Sequence, residues 1–209
     1  MAVDRDALIS QFGVGGWAAS TRIVTPGLIG DSGTIGERWV GMSLDQRRAE
    51  ASARVGRWNR SGRKAAALRI AMPAGPGGEL LFASLARDFE SIGIIAKRVS
   101  ENAAADLKLI DIVARYPRAI WFLNQLGCAG RQDLCSSTAD VLVQRARDAE
   151  EPALAAEQLA DAEAELTKDN VYIPFGAPVR WSLVRGDAIG FAENRWGFHP
   201  LMPMTRLPK

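Results

Sequence analysis

Residues 68–99, LRIAMPAGPGGELLFASLARDFESIGIIAKRV, carry the pattern that decides the fold. Residues 68–72 alternate as a strand does, and a Pro/Gly break follows them. Apolar residues then recur at the spacing of a helix face, namely Leu81, Leu85, Phe89 and Ile92. Gly93 stands where a helix C-cap glycine belongs, and residues 94–99 again resemble a strand. A strand, a helix and a strand within about 30 residues predict a parallel βαβ unit and an α/β fold.

The composition excludes several classes of protein. The chain has 209 residues, of which 47% are hydrophobic and 24% charged, as in an ordinary globular protein. A net charge of +2 is too small to indicate a nucleic-acid surface, so we expect no nucleic-acid partner. No run approaches the roughly 18 apolar residues that span a membrane. Residues 1–6, MAVDRD, lack the apolar core of a signal peptide and, taken alone, indicate the cytosol.

The two cysteines weakly indicate the opposite compartment. Cys128 and Cys135 lie seven residues apart in a loop-like segment, a separation that a disulfide can close. Two free thiols remain an open alternative. Zinc is disfavoured because His199 is the only histidine and the chain has no Cys-x-x-Cys pair, so we expect no metal site.

Further elements follow from caps and periodicity. Helices are predicted at residues 4–12, 119–126 and 137–149, at a capping box that opens with Ser43, and from Pro152 onward. The last of these has a buried stripe at Ala155, Leu159, Ala162 and Leu166, and its carboxylates Asp161, Glu163 and Glu165 are assigned to a solvated face. Strand-like runs occur at residues 23–24, 39–40, 106–112, 171–175 and 180–184.

A glycine-rich turn lies between the first strand and its helix. The run from Gly75 through Gly77 can point free backbone N–H groups at a bound ligand, although a purely structural turn is the favoured interpretation. Its spacing matches neither the dinucleotide fingerprint nor a P-loop. A nucleotide-dependent enzyme is therefore disfavoured.

A second candidate segment follows the third predicted strand. Ligands in α/β sheets bind at the carboxyl ends of strands, and small-ligand clefts combine aromatic walls with a few polar groups. The residues that fit this description are Arg115, Tyr116, Arg118, Trp121, Asn124 and Gln125. The alternative is that Trp121 belongs to the core and the arginines are only solvated. No nucleophile and base pair is recognisable, so we expect no enzyme and no cofactor.

With these segments in place, the chain resembles the C-terminal lobe of extracytoplasmic solute-binding proteins of ABC transporters. The group that it resembles is the peptide/nickel one, family 5, with its oligopeptide- and dipeptide-binding proteins. The similarity is carried by an ordered series of short motifs: DRDALI at 4–9, the helix at 45–62, the strand, helix and IGI turn at 68–94, DLKL at 106–109, the run 137–142 and VYIPF at 171–175.

The resemblance implies a periplasmic-binding-protein-like lobe of type II, with a mixed βαβ-based sheet flanked by helices. The N-terminal lobe would lie before Met1, so the chain is expected to be a fragment. Residues 1–170 would form the ligand-binding lobe, and residues 171–209 would return toward the missing lobe. Such a protein traps a peptide or similar solute between its lobes in the periplasm and delivers it to a membrane permease.

One departure from the family pattern bears on the ligand. Family members often carry an acidic D-Y-x-D-P segment whose aspartate can meet a peptide's amino terminus. Here the corresponding run, residues 114–118, has lost the acids and contains Arg115 and Arg118. These arginines suggest a ligand that presents a carboxylate or another anion. The alternative function is the ligand-sensing domain of a transcriptional regulator with the same fold.

Overall fold

The structure is a computed structural model that describes residues 1–62, 67–130, 134–178, 182–186 and 190–192. Its helices and strands are α1 Arg5–Ser10, α2 Leu44–Arg60, β1 Leu68–Met72, α3 Pro76–Glu90, β2 Ala96–Ser100, β3 Leu107–Lys108, α4 Ala119–Asn124, α5 Ser137–Asp148 and α6 Pro152–Lys168. The chain forms two compact units, Met1–Ala19 with Arg38–Asp111 (unit 1) and Ser20–Glu37 with Ile112–Lys209 (unit 2). Among the described residues, no helix has the length and apolar character needed to cross a bilayer.

The predicted βαβ unit lies in unit 1 and is confirmed. β1 pairs in parallel with β2, placing Leu68 opposite Ala96, and pairs on its other side with β3 in the order β2-β1-β3. The fold class is therefore α/β, and the strand pairs of the described sheet are all parallel. The third strand, expected over residues 106–112, is only two residues long.

Helix α3 covers this sheet as its sequence pattern indicates. Its buried face contains Leu81, Leu85 and Phe89. The C-cap is Ser91, and the predicted cap Gly93 lies two residues further on, in the left-handed region with φ 83°. The start of α3 lies against the end of β1: a Cβ atom on Gly78 would be 2.2 Å from the Pro73 carbonyl oxygen. Only glycine fits at this position without a shift of the backbone.

The other helices of unit 1 begin at side-chain caps, of which the capping box at Ser43 was predicted. Asp4 caps α1 by accepting a hydrogen bond from the Ala7 N–H at 3.0 Å. Ser43 and Gln46 form the capping box that begins α2. A small apolar cluster of Ala2, Ala51 and Ile92 packs beneath these helices.

Unit 2 is built on the helix pair α5 and α6. The buried stripe of α6 is confirmed, since Leu159, Ala162 and Leu166 are buried in its core. The N-cap of α5 is Ser136, one residue before the predicted start, and its side chain accepts from the Ala139 N–H at 3.2 Å. The core also includes Val24, Leu28, Ala119, Leu123, Leu126, Ala139, Val143 and Ala146.

Three predicted strand runs are wrong. Residues 23–24 form no strand, because Val24 is instead a core side chain of unit 2. Residues 39–40 lie in a turn in which Trp39 has φ 61°. Residues 171–175 have no strand pairing, and Tyr172 instead donates its hydroxyl hydrogen to the Leu134 carbonyl oxygen at 2.6 Å.

Some sequence predictions lie beyond the described residues. Residues 179–181, which include the start of the predicted strand 180–184, are outside them, and residues 182–184 have no strand. His199 also lies outside the described residues. The boundary expected at residue 170 stays a prediction.

Candidate ligand-binding site

The segment that contains most of the predicted ligand residues enters helix α4 of unit 2. Its backbone is fixed by a bridge to residue 29, since the Ala119 N–H donates to the Ile29 carbonyl oxygen at 2.9 Å. The Arg118 N–H donates to the Tyr116 carbonyl oxygen at 2.9 Å, which closes a tight turn before the helix. Arg118 is the N-cap residue, but its side chain makes no capping hydrogen bond. Its guanidinium is therefore not used to hold the helix start.

The aromatic residues divide between surface and core. Tyr116 is 41% exposed, whereas Trp121 is 6% exposed. Their rings meet edge to face with centroids 6.5 Å apart, and Trp121 packs in the same way against Phe122 at 5.1 Å. Arg115 and Arg118 are exposed. Trp121 thus supports Tyr116 from below, and the accessible part of this segment consists of Tyr116 with the two arginines.

The amide side chains of the segment have structural contacts. The Asn124 Oδ1 atom accepts from Arg147 Nη2 at 2.5 Å, which ties α4 to α5. Gln125 is the C-cap residue of α4, and its backbone N–H donates to the Phe122 carbonyl oxygen at 3.2 Å. Both residues are half-buried. A role in ligand contact remains a prediction for each of them.

The predicted glycines belong to unit 1, whereas residues 115–125 belong to unit 2. Gly75 is the N-cap of α3 with φ 104°, and its carbonyl oxygen accepts from the Glu79 N–H at 3.1 Å. Gly77 has open space around its Cα atom. The Glu79 carboxylate stands in the first helical turn, where it already complements the positive end of the helix dipole. This arrangement favours a structural turn over an anion site.

A buried ionic network in unit 2 was not predicted from the sequence. Arg22 Nη2 lies 2.9 Å from Asp31 Oδ1 and 2.8 Å from Glu163 Oε2, and the three side chains are between 1% and 5% exposed. Glu163 Oε1 also accepts from the backbone N–H groups of Ile23 at 2.9 Å and Val24 at 3.2 Å. The assignment of Glu163 to a solvated face is therefore wrong. Its spacing from Leu159, four residues, was the signal that it shares the buried face.

The network fixes the loop that holds the candidate segment. Burial alone would raise the pKa of Asp31, but hydrogen bonds from Arg22 and from the Gly27 and Gly33 N–H groups lower it overall. Asp31 therefore stays ionised beside Arg22. Since the backbone between these residues includes Ile29, whose carbonyl receives the Ala119 N–H, the network positions the start of α4.

Cys128 and Cys135 are joined by a disulfide in the structure. Asp140 of α5 accepts a hydrogen bond from the Cys128 N–H at 3.0 Å. The loop after α4 is thus attached to the next helix at its first cysteine. Within the described ranges, no group of three or more His, Cys, Asp or Glu side chains is arranged to hold a metal ion.

Unit 1 contains a separate polar cavity of about 200 Å³ between α1, α2 and α3. Asp88 lines it, accepting from Arg48 Nη2 at 2.5 Å and from the Asp4 N–H at 3.0 Å. Arg87 Nη2 donates to Ser84 Oγ at 3.2 Å along the same wall. Because Asp88 is paired with Arg48 and Arg87 is bonded to Ser84, we interpret the cavity as a polar packing site.

Comparisons with known proteins show which solved structures share this fold. No protein-family model and no curated protein sequence matches the chain. Among solved structures, OppA of Burkholderia pseudomallei superimposes with a TM-score of 0.74 and 16% identity, over 84% of this chain and 37% of that one. OppA of Haemophilus influenzae, in complex with RPPGFSPFR, gives 0.74 and 15% over 84% and 37%. The murein tripeptide-binding protein MppA of Escherichia coli gives 0.72 and 14% over 83% and 37%.

The chain has the fold of part of a periplasmic solute-binding protein. At 14% to 16% identity the likeness shows the fold alone, and it confirms the architecture expected from the family 5 resemblance. The chain spans little more than a third of the length of these structures. By their descriptions, MppA and further neighbours are binding proteins.

Proposed function

We propose that this chain is the ligand-binding lobe of the solute-binding component of an ABC importer. The observation that carries the proposal is the shared fold, which extends over more than four-fifths of the chain, with proteins described as peptide- or tripeptide-binding. The proposed place of action is the periplasm. The disulfide between Cys128 and Cys135 supports that place, because disulfides persist in oxidising compartments.

The proposed mechanism is capture without chemistry. The ligand binds to this lobe and is enclosed when the first lobe closes over it. Contacts that the ligand makes only in the closed state shift the equilibrium toward that state. The closed complex is then recognised by the permease in the membrane. A single lobe makes only half of these contacts, so we expect the 209-residue chain alone to bind peptides weakly or not at all.

The proposed ligand is a peptide or small solute that presents a carboxylate. Arg115 and Arg118 flank the exposed ring of Tyr116, and guanidinium groups match a carboxylate with paired hydrogen bonds. Apolar ligand groups would pack on Tyr116, which Trp121 supports. Ligand contact through the backbone N–H groups at Gly75 and Gly77 stays a separate prediction from the sequence.

The test uses the complete protein, including its first lobe, and calorimetry with an equimolar pool of tri- to pentapeptides. Replacing both Arg115 and Arg118 by alanine is expected to weaken binding at least about tenfold, since each charged hydrogen bond contributes about 1.5 kcal/mol or more. Amidation of the peptide C-terminus is expected to remove this difference. Arg145→Ala, on the exposed face of α5, is the matched control. An unchanged affinity in the double variant would discard the carboxylate ligand.

The redox state of the two cysteines distinguishes the proposed importer component from the alternative function, the ligand-sensing domain of a transcriptional regulator. Peptide mapping by mass spectrometry of the natively purified protein is expected to find Cys128 linked to Cys135. Two free thiols would instead favour a ligand-sensing domain in a reducing compartment.

A further inference from the structure

Ile29 is an apolar residue of unit 2 that lies on the surface, where it is 61% exposed. Leu28, the residue before it, is buried in the core of the unit. Gly30, the residue after it, has φ 86° and lies so close to α6 that a Cβ atom there would be 3.1 Å from Leu159 Cδ1. Because Leu28 points inward and Gly30 packs on α6, the Ile29 side chain points outward.

The backbone around Ile29 is fixed by hydrogen bonds. The Asp31 N–H donates to the Leu28 carbonyl oxygen at 2.9 Å and closes a turn. Asp31 Oδ2 accepts from the Gly27 N–H at 2.8 Å, and Asp31 Oδ1 pairs with the buried Arg22 at 2.9 Å. The exposed isoleucine is therefore held in one place before any ligand arrives, which lowers the entropic cost of a contact with it.

Arg118 lies beside Ile29. The two residues are partners in a parallel β-bridge, in which paired backbones are about 4.8 Å apart. Their side chains share the outward face, since both are exposed whereas Leu28 and Ala119, their neighbours along the chain, are buried at 5% and 1% exposure. An aliphatic side chain and a guanidinium group therefore leave the surface side by side.

The Arg118 guanidinium is available to an anion. Within the part of the chain that the structure describes, its side chain has no hydrogen-bond or ion-pair partner. Asp31, the acid that is nearest to Ile29 in sequence, is already paired with Arg22. The surface formed by Ile29 and Arg118 thus combines an apolar group with an unpaired positive charge.

We propose that Ile29 and Arg118 recognise the last residue of a peptide, Arg118 binding its α-carboxylate and Ile29 its side chain. Such recognition rests on the proposed function and specifies which peptides are preferred, namely those that end in a large aliphatic residue. The α-carbon of a C-terminal residue carries both groups, so they reach two adjacent side chains of the protein. Guanidinium groups bind a carboxylate with paired hydrogen bonds, and the apolar contact removes aliphatic surface from water.

The test is calorimetry of the complete protein with three tripeptides that differ only in their last residue, Ala-Ala-Ser, Ala-Ala-Val and Ala-Ala-Leu. Affinity is expected to rise in that order, and Ala-Ala-Leu is expected to bind at least about fivefold more tightly than Ala-Ala-Ser. In Ile29→Thr, which keeps a β-branched side chain in the bridge, this ratio is expected to fall below about twofold. The affinity for Ala-Ala-Ser should change little, because Arg118 is intact.

A control variant and a stability measurement distinguish this role from a structural one. Val141→Thr makes a similar change at another position of unit 2, 51% exposed on α5, and should leave the ratio as in the wild type. The ligand-free Ile29→Thr protein should melt at the wild-type temperature. A lower melting temperature with an unchanged ratio would mean that another part of the protein covers Ile29, and it would overturn the inference.

The remaining outcomes separate this inference from the proposed function. Equal affinity of the wild type for the three tripeptides would overturn the inference and leave the proposed function standing, and this comparison needs no variant. Isocaproate has the leucine side chain and the carboxylate without peptide bonds. If it bound as tightly as Ala-Ala-Leu, the ligand would be an aliphatic acid and the peptide assignment would be wrong. Absence of binding to every tripeptide would overturn both.

Discussion

Glu163 is buried, although its sequence neighbourhood predicts a solvated position. Its carboxylate accepts hydrogen bonds from Arg22 and from the backbone N–H groups of residues 23 and 24. In Glu163→Gln an amide NH₂ group would face these donors and the Arg22 charge would lose a partner. We expect a loss of about 3 kcal/mol in the free energy of unfolding, measured with urea.

A matched control lies two residues away on the same helix. Glu165 pairs with Lys168 at 3.5 Å, and its side chain is 33% exposed, so Glu165→Gln should change stability by about 0.5 kcal/mol or less. Equal effects of the two variants would show that the buried network contributes nothing beyond a surface pair.

Asp31 makes stability depend on pH. Its native pKa is below the unfolded value of about 3.9, so the ionised carboxylate stabilises the fold fully above that value. The contribution is lost as the pH falls through the lower native pKa. We expect the wild type to lose stability below about pH 4 more steeply than Asp31→Asn, and the variant to be the less stable of the two at pH 7.

Urea denaturation between pH 2 and pH 7 would measure both curves, as about five points span the titration. Asp161→Asn, at an exposed position of α6, is the control for the loss of a surface carboxylate. A constant difference between wild type and Asp31→Asn across this range would exclude the ionic role of Asp31.

At the scale of elements, the close approach of α3 to β1 rests on one glycine. Gly78→Ala places a methyl group 2.2 Å from the Pro73 carbonyl oxygen, whereas the same change at Gly77 meets nothing within 4 Å. We expect Gly78→Ala to cost about 2 kcal/mol by overpacking. Gly77→Ala should be neutral or stabilising by up to about 1 kcal/mol, because alanine favours the helix. Thermal denaturation of the two variants would compare them directly, and similar midpoints would refute the close contact.

The helices and strands also show which parts of the fold can be predicted from the sequence. The βαβ unit was predicted because strand alternation, helical spacing and a glycine shortly after the helix are local signals. The strands expected at 39–40 and 171–175 were wrong because strand formation depends on a partner that is distant in sequence. The burial of Glu163 was indicated locally by its spacing from Leu159, but its partner Arg22, which lies 141 residues away, had no local signal. Of the candidate site, Arg115, Tyr116 and Arg118 are exposed and Trp121 belongs to the core, so ligand contact by the exposed residues stays a prediction.

At the scale of the whole molecule, the two units are interleaved along the chain. Residues 20–37 belong to unit 2, although the rest of that unit begins at residue 112. They supply the core side chains Val24 and Leu28, which are 2% and 5% exposed, and the buried Arg22 that pairs with α6. Unit 2 therefore depends on a segment that is synthesised long before its helices, and its folding must close a long loop.

This dependence can be tested by replacing residues 20–37 with a Gly/Ser linker of equal length. Because the replacement removes two core side chains and leaves Glu163 buried without Arg22, we expect hydrogen exchange in α5 and α6 to accelerate at least about tenfold. The amides of β1 and α3, whose partners lie in unit 1, serve as the internal reference. A linker replacing residues 13–16, an exposed loop of unit 1, is the control and should not affect α5 or α6. Unchanged protection of α6 in the first variant would mean that the helix pair holds its own core, and that the buried ion pair with residue 22 is dispensable.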